Sequence, residues 1–192
     1  MSLATLAVLV ASYLFASWNF AITVLRIGGF PDPRTLHSGN AGTSNVARVA
    51  GRPLAGLVLV LDMARAVLIH LVAARFCSRD AVAWAGVALV LGNRFPIFHG
   101  FRGGKGVAAF LGFVGAGQPW AALLACAAWV LTYLSSKVPA LASVAMVMVL
   151  VGATLRVSPS SAVSASGTII TAALIVAGHK RNWVAWREHR QK

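Results

Sequence analysis

Apolar and polar positions along this chain come in blocks rather than in alternation. Residues 3–25 are apolar and uncharged, long enough at 1.5 Å per residue to cross a hydrocarbon core of about 30 Å. Further apolar stretches cover 53–74, 81–92, 106–116, 119–134, 138–155 and 164–178. These seven segments predict an all-α, polytopic membrane protein, read as one integral membrane domain over residues 1–192. Two of them, 81–92 and 106–116, fall short of the roughly 17 residues that a full span needs, which leaves them as short spans or re-entrant pieces. Nothing basic precedes the first stretch, which argues against a cleaved signal peptide.

The charges between the blocks set an orientation. If all seven segments cross, one membrane face receives Arg26, Arg34, Arg48 and Arg52, then Arg94, Arg102 and Lys105, then Lys137, then Lys180, Arg181, Arg187, Arg190 and Lys192. The other face receives Arg75, Arg79 and Arg156, and Arg65 lies within a segment. Lys and Arg collect on the cytoplasmic side of short loops, so this split predicts seven crossings with the N-terminus outside and the C-terminus inside. If both short segments failed to cross, the loop of Arg94, Arg102 and Lys105 would change face and most of the bias would go.

Composition agrees with a lipid environment. Hydrophobic residues make up 58% of the chain and charged residues 11%, whereas a water-facing domain has roughly a quarter of its residues charged. Seventeen Lys and Arg against the four acids Asp32, Asp62, Asp80 and Glu188 give a net charge of +13. Such a balance attracts anionic lipid or phosphorylated metabolites. Nucleic acid is not the expected partner, because the cations sit in short loops rather than along one stripe. Cys77 and Cys126 fall in an outer loop and a membrane helix, which gives no reason to expect a disulfide.

Three inner segments carry the candidate chemistry. The first includes His37-Ser38-Gly39-Asn40-Ala41-Gly42-Thr43-Ser44-Asn45, followed by Arg48. Its glycines and short polar side chains suit either an anion or a capped polar turn, and Arg34 and Arg48 favour the anion. The second runs Arg102-Gly103-Gly104-Lys105-Gly106-Val107 into an apolar helix. There backbone amides, a helix dipole and Lys105 would together favour a phosphate. The spacing is not that of a nucleotide P-loop, since Val107 stands where Ser or Thr would follow. The third, around His179, Lys180 and Asn182, reads by itself as a positive interfacial tail. Within the membrane, Asp62 and Arg65 share one helical face, either as a structural ion pair or as part of a site. Clusters with metal-ligand spacing, a Gly-x-Ser-x-Gly elbow and paired carboxylates are all missing from the sequence.

Together these blocks resemble the bacterial membrane glycerol-3-phosphate acyltransferases that use acyl phosphate as donor, the PlsY family. The family's Gly-Ser-Gly-Asn-x-Gly-x-Thr-Asn-x-x-Arg block is met by Ser38, Gly39, Asn40, Gly42, Asn45 and Arg48, with His37 where Gly is usual and Ser44 where Thr is. The second block is met by Gly92, Pro96, Phe98, Phe101, Gly103, Gly104, Lys105, Gly106, Val107 and Ala108, and the third by His179, Lys180 and Asn182. The resemblance implies a seven-helix fold in the bacterial plasma (inner) membrane, with its active site facing the cytoplasm. It also implies acyl transfer from acyl phosphate to the 1-hydroxyl of glycerol 3-phosphate, giving lysophosphatidic acid and phosphate in phospholipid synthesis, with no metal or other cofactor. On the same ground Ser38, Arg48, His179 and Asn182 are the expected catalytic residues. Gly39, Asn40, Gly42, Asn45, Arg102, Gly103, Gly104, Lys105 and Gly106 are expected around the substrate phosphate. Membrane lipid is the remaining expected partner.

The sequence departs from the family at Asn93, which replaces a histidine, at Arg65 and Arg102, which replace lysines, and in a late glutamate for which Glu188 comes too early. Two other readings follow. One is a relative that binds phosphate or lipid without turnover. The other is a transporter of phosphorylated metabolites, against which stands the absence of any internal repeat.

Overall fold

The computed structural model describes residues 2–157, 161–180 and 182–183, and its regular structure there is entirely helical. The helices are α1 (Leu3–Ala16), α2 (Phe20–Ile27), α3 (Thr43–Ala50), α4 (Arg52–Phe76), α5 (Val82–Arg94), α6 (Val107–Gly117), α7 (Pro119–Ser136), α8 (Pro139–Val157) and α9 (Ala162–Ala177). Each of the seven apolar stretches becomes helix, with ends that move by a few residues. Five stretches are long and apolar enough to cross a membrane: Leu3–Ile27, Arg52–Phe76, Arg79–His99, Pro119–Ser136 and Pro139–Val157. The 81–92 stretch thus lengthens, because 3-10 turns at Arg79–Ala81 and Ile97–His99 continue α5 at either end.

The 106–116 stretch stays short. At 11 residues, α6 covers roughly half of a hydrocarbon core. It is surrounded by protein instead, burying Phe110, Leu111, Phe113 and Val114 against its neighbours. A Cβ added at Gly112 would stand 2.8 Å from the Met63 carbonyl oxygen of α4, so the small residue lets the two backbones meet. By contrast, Leu123 and Leu131 of α7 are 73% and 68% exposed, a surface that suits lipid tails and not water.

The first stretch is two helices with a break at residues 17–19. Asn19 caps α2, its side chain accepting a hydrogen bond from the Ile22 amide at 3.1 Å. Carbonyls freed at such a break need donors. Arg65 of α4 supplies them: Nη1 donates to Ala16 O at 3.1 Å and to Trp18 O at 2.6 Å, while Nη2 meets Asp62 Oδ1 at 2.7 Å. The guanidinium also lies 4.9 Å from the Phe20 ring centroid. Asp62 and Arg65 are therefore a buried pair that pins α4 to the α1–α2 joint.

A main core runs through α1 and α4–α9, and a second apolar cluster, with Ile22, Leu25, Val46 and Val58, fastens α2 and α3 to the start of α4. The first turns of α5 and α9 meet where Trp84 Nε1 donates to Val163 O at 3.2 Å. Asn93 near the end of α5 and His179 just past α9 also border one cavity, so these two helices run in the same direction.

Candidate active site

Two loops are laid against each other at the end of the bundle where α2 and α5 finish. In the first, Asp32 Oδ1 accepts the Arg34 amide at 2.8 Å, and the Arg34 guanidinium folds back on the same carboxylate with Nη2 to Oδ2 at 2.6 Å. This partner holds the Asp32 carboxyl below the usual carboxylate range and raises Arg34. Arg34 Nη1 crosses to the second loop and donates to His99 O at 2.6 Å. Asn45 Nδ2 donates to Pro33 O at 2.6 Å and to Leu36 O at 3.1 Å, tying the first loop to α3. His37 and Gly39 have φ of 50° and 63°, and with these left-handed turns Ser38 comes to line the cavity.

The second loop folds back along the end of α5. The Gly103 amide donates to Arg94 O at 3.1 Å and the Gly104 amide to Asn93 O at 2.9 Å, while Gly103 O accepts the Ala41 amide at 3.4 Å. A side chain at Gly103 would strike the Asn93 carbonyl, and a Cβ at Gly104 would stand 2.6 Å from Asn93 Oδ1 and 2.7 Å from Ala41 O. These glycines serve a close fit between loops, and their amides are already engaged. Gly106, at φ 86°, then turns the chain into α6 with no side-chain cap. Gly42 opens α3 in the same uncapped way. The leading amides of a helix have no acceptor within it, so α3 and α6 both bring free N–H groups and positive dipole ends to one place.

That place is a cavity of about 560 Å³. Ser38, Asn40, Gly42 and Arg48 reach it from the first block, Gly104, Lys105 and Gly106 from the second, and His179 and Asn182 from the third. Lys105 Nζ donates to Asn182 Oδ1 at 2.8 Å across 77 positions of sequence. Gly39, Asn45, Gly103 and Arg102 do not line this cavity: Asn45 and Gly103 hold the loops, and Arg102 lines a separate cleft. Arg181, Arg187, Arg190, Lys192 and Glu188 lie outside the described residues.

Electrostatically the cavity wants an anion. Burial, then repulsion from Arg48 and Arg94, lowers the Lys105 ammonium to about 8. His179 is buried and lowered to about 4 by burial and by Lys105. Its Nδ1 lies 2.9 Å from Ile175 O. A carbonyl only accepts, so Nδ1 carries the proton and Nε2 is left as the acceptor. A bound phosphate would reverse the repulsion and restore charge to Lys105.

Sequence reasoning passed over three wall residues and one glycine beside them. Asp62 was legible as half of an ion pair, but not as part of this wall. Thr43 keeps a buried hydroxyl without a hydrogen-bond partner among the described residues, and its place inside the first block was the available signal. Ser143 of α8 had no signal. Outside the lining, a Cβ added at Gly178 would strike the Arg94 guanidinium and stand 3.4 Å from Lys105 Cγ, so a small residue before His179 clears the path of Lys105. Opposite the polar end, the wall is apolar, with Leu59, Leu111, Trp129, Val130 and Met146.

Comparison with known proteins gives one answer. A family model described as glycerol-3-phosphate acyltransferase matches residues 6–189. The glycerol-3-phosphate acyltransferase of Pseudomonas fluorescens strain Pf0-1 is 44% identical over 135 residues, covering 70% of this chain and 71% of the relative. That of Pseudomonas putida strain KT2440 is 45% identical over 134 residues, covering 69% and 70%. Among solved structures, PlsY, an integral membrane glycerol 3-phosphate acyltransferase, matches in its glycerol 3-phosphate form with a TM-score of 0.89 and 31% identity over 97% of this chain and 93% of that one. Its lysophosphatidic acid form matches with a TM-score of 0.85 at 29% identity, over 97% and 93% of the two chains.

Proposed function

Since this chain belongs to the glycerol-3-phosphate acyltransferase family, we propose that the shared cavity is where it transfers an acyl group from acyl phosphate to the 1-hydroxyl of glycerol 3-phosphate. The protein is a membrane acyltransferase that acts on glycerol 3-phosphate. The observation that carries the site is the meeting of three distant segments, marked by the Lys105–Asn182 hydrogen bond at 2.8 Å.

Lys105, Arg48 and the open amides at the starts of α3 and α6 hold the phosphates of donor and acceptor. The apolar wall around Trp129 and Met146 receives the acyl chain. Ser38 and the acceptor nitrogen of His179 orient the glycerol hydroxyl. Its oxygen attacks the acyl carbonyl, the bond from carbonyl carbon to phosphate oxygen breaks, and lysophosphatidic acid and inorganic phosphate leave. An acyl phosphate is already activated, so positioning and charge stabilisation suffice without a covalent acyl-enzyme. Burial and neighbouring cations make His179 a weak base, so a substrate phosphate, with a second pKa of about 6, takes the hydroxyl proton.

Seven crossings, with the cavity on the cytoplasmic side of the bacterial inner membrane and the N-terminus outside, fit this reading. Residues from each of the four predicted inner segments border the cavity, Val138 and Pro139 among them, and Arg75, Arg79 and Arg156 do not. Purified protein supplied with acyl phosphate and glycerol 3-phosphate should yield lysophosphatidic acid and phosphate in equal amounts, and Ser38→Ala should slow this about a hundredfold or more. No turnover by the intact protein, or turnover with an acyl thioester alone, would overturn the reading.

A further inference from the structure

A second basic cleft, of about 430 Å³, lies beside the cavity and shares no lining residue with it. Its lining includes Arg26, Arg34, Thr35, His99 and Arg102, with Asp32 as its only carboxylate. That carboxylate is committed to Arg34, which has two nitrogens on it and a third on the His99 carbonyl. Arg34 is thus the brace of the cleft. Arg26 and Arg102 have no carboxylate within ion-pair distance among the described residues, and both are exposed. Arg26 feels the Asp32 charge without pairing with it, and two guanidiniums outside any ion pair on one concave lining match the oxygens of a phosphate group.

The surroundings say which phosphate. Ile27, at 82% exposed, follows Arg26, and Phe98 and Phe101, at 58% and 55%, flank the turn that carries Arg102. The turn is fixed by left-handed Gly100 and Phe101, with φ of 64° and 57°, and by the Phe101 amide on Pro96 O at 2.9 Å. Phe98 in turn packs edge-on to Trp18, with centroids 6.5 Å apart. A cationic cleft rimmed by outward-facing aromatic and aliphatic groups at the end of membrane helices suits a headgroup with acyl chains attached. A free anion would gain nothing from that rim.

We infer that this cleft is a binding site for the phosphate headgroup of an anionic phospholipid, separate from the cavity of acyl transfer. It accounts for Arg102, a cation of the second glycine-rich block that the acyl-transfer cavity leaves unused.

Native mass spectrometry of the full chain, with phosphatidylglycerol or phosphatidylcholine of matched acyl chains, tests this without reference to activity. The intact protein should retain one phosphatidylglycerol at least fivefold more than phosphatidylcholine, and millimolar inorganic phosphate should not displace it. Arg26→Gln with Arg102→Gln should abolish the preference, as should Thr35→Glu, which adds a negative charge to the cleft and leaves every guanidinium in place. Arg75→Gln with Arg79→Gln, an equal loss of charge elsewhere, should leave it intact. Equal retention of the two lipids, unchanged preference in both cleft variants, loss of preference in the distant variant, or displacement by inorganic phosphate would each overturn the proposal.

Discussion

Two cations, the buried Arg65 and the half-buried Lys105, sit in the same bundle and do opposite things. Arg65 has a carboxylate at 2.7 Å and two backbone carbonyls at 3.1 and 2.6 Å, with an aromatic ring against its face, and Nε alone lacks an acceptor among the described residues. Lys105 has one neutral acceptor, Asn182 Oδ1 at 2.8 Å, and cations for company. A charge that already meets its counter-ion is a joint; one whose partners are neutral or of like sign is waiting for a counter-ion. The difference separates structure from chemistry in a protein that holds both kinds of cation in one bundle.

Breaking the joint should have the largest effect on folding. Arg65→Ala removes the donors of Ala16 O and Trp18 O and strands Asp62, which places the loss at roughly 3–5 kcal/mol. Denaturant unfolding in detergent micelles would measure it. Arg65→Lys keeps the charge but not the fork that spans three acceptors, so it should recover only part. A loss under about 1 kcal/mol for Arg65→Ala would mean that the α1–α2 break is held by something else.

Removing the waiting cation should spare the fold and strike the reaction. For Lys105→Ala the expected fall in kcat/KM is on the order of 10² to 10³, with an unfolding midpoint no lower than that of the intact protein, since a charge that burial disfavours is gone. The same comparison gives a pH signature. Lys105 titrates at about 8 in the free protein, so the charged form that binds phosphate dominates below that pH and is lost above it. KM for glycerol 3-phosphate should therefore rise by about tenfold per pH unit beyond pH 8. Lys105→Arg, charged throughout, should flatten that rise. A KM in the unaltered protein that stays level from pH 7 to 9 would take Lys105 out of phosphate binding.

How much of this could be read from the chain alone follows from the range of each interaction. The seven apolar stretches were legible because transfer into lipid depends on a local sum over hydrophobic residues. The break after Ala16 was not, since Ser17 and Asn19 stand in an otherwise apolar run and the arginine that stabilises the break lies 47 positions away from Trp18. Helix α3, with eight residues, is too short for periodicity to speak. In the second block, Arg102 and Lys105 look equivalent by spacing. The left-handed turn at Gly100 and Phe101 sends one to the outer cleft, and the tight fit of Gly103 and Gly104 under Asn93 delivers the other to the cavity. Asp62 and Arg65 were legible as a pair because three residues make a helical contact, but which carbonyls they serve was not.

Asn93 tests whether the cavity itself needs a titrating base. Its backbone oxygen accepts the Gly104 amide at 2.9 Å, and its side chain, which also borders the cavity, leaves no room for a Cβ at Gly104. Asn93→His should change kcat by less than about tenfold if substrate phosphate is the proton acceptor. A gain near a thousandfold would assign that duty to an imidazole and demote the phosphates to binding alone.

The smallest expected effect concerns the turn that presents Ser38. His37 is exposed and adopts φ 50°, a conformation that costs a residue with a Cβ about 1–2 kcal/mol. The related block carries glycine at this position. His37→Gly removes the strain but adds freedom to the unfolded chain, which costs up to about 1 kcal/mol, so the net gain should be a few tenths of a kcal/mol with kcat altered less than about twofold. Thermal unfolding alongside the acyl-transfer assay would read both quantities on one preparation. If the stability rises as expected and kcat nonetheless falls tenfold, the imidazole contributes to the reaction, and the working part of the site extends from Lys105 and Arg48 to the mouth of the first loop.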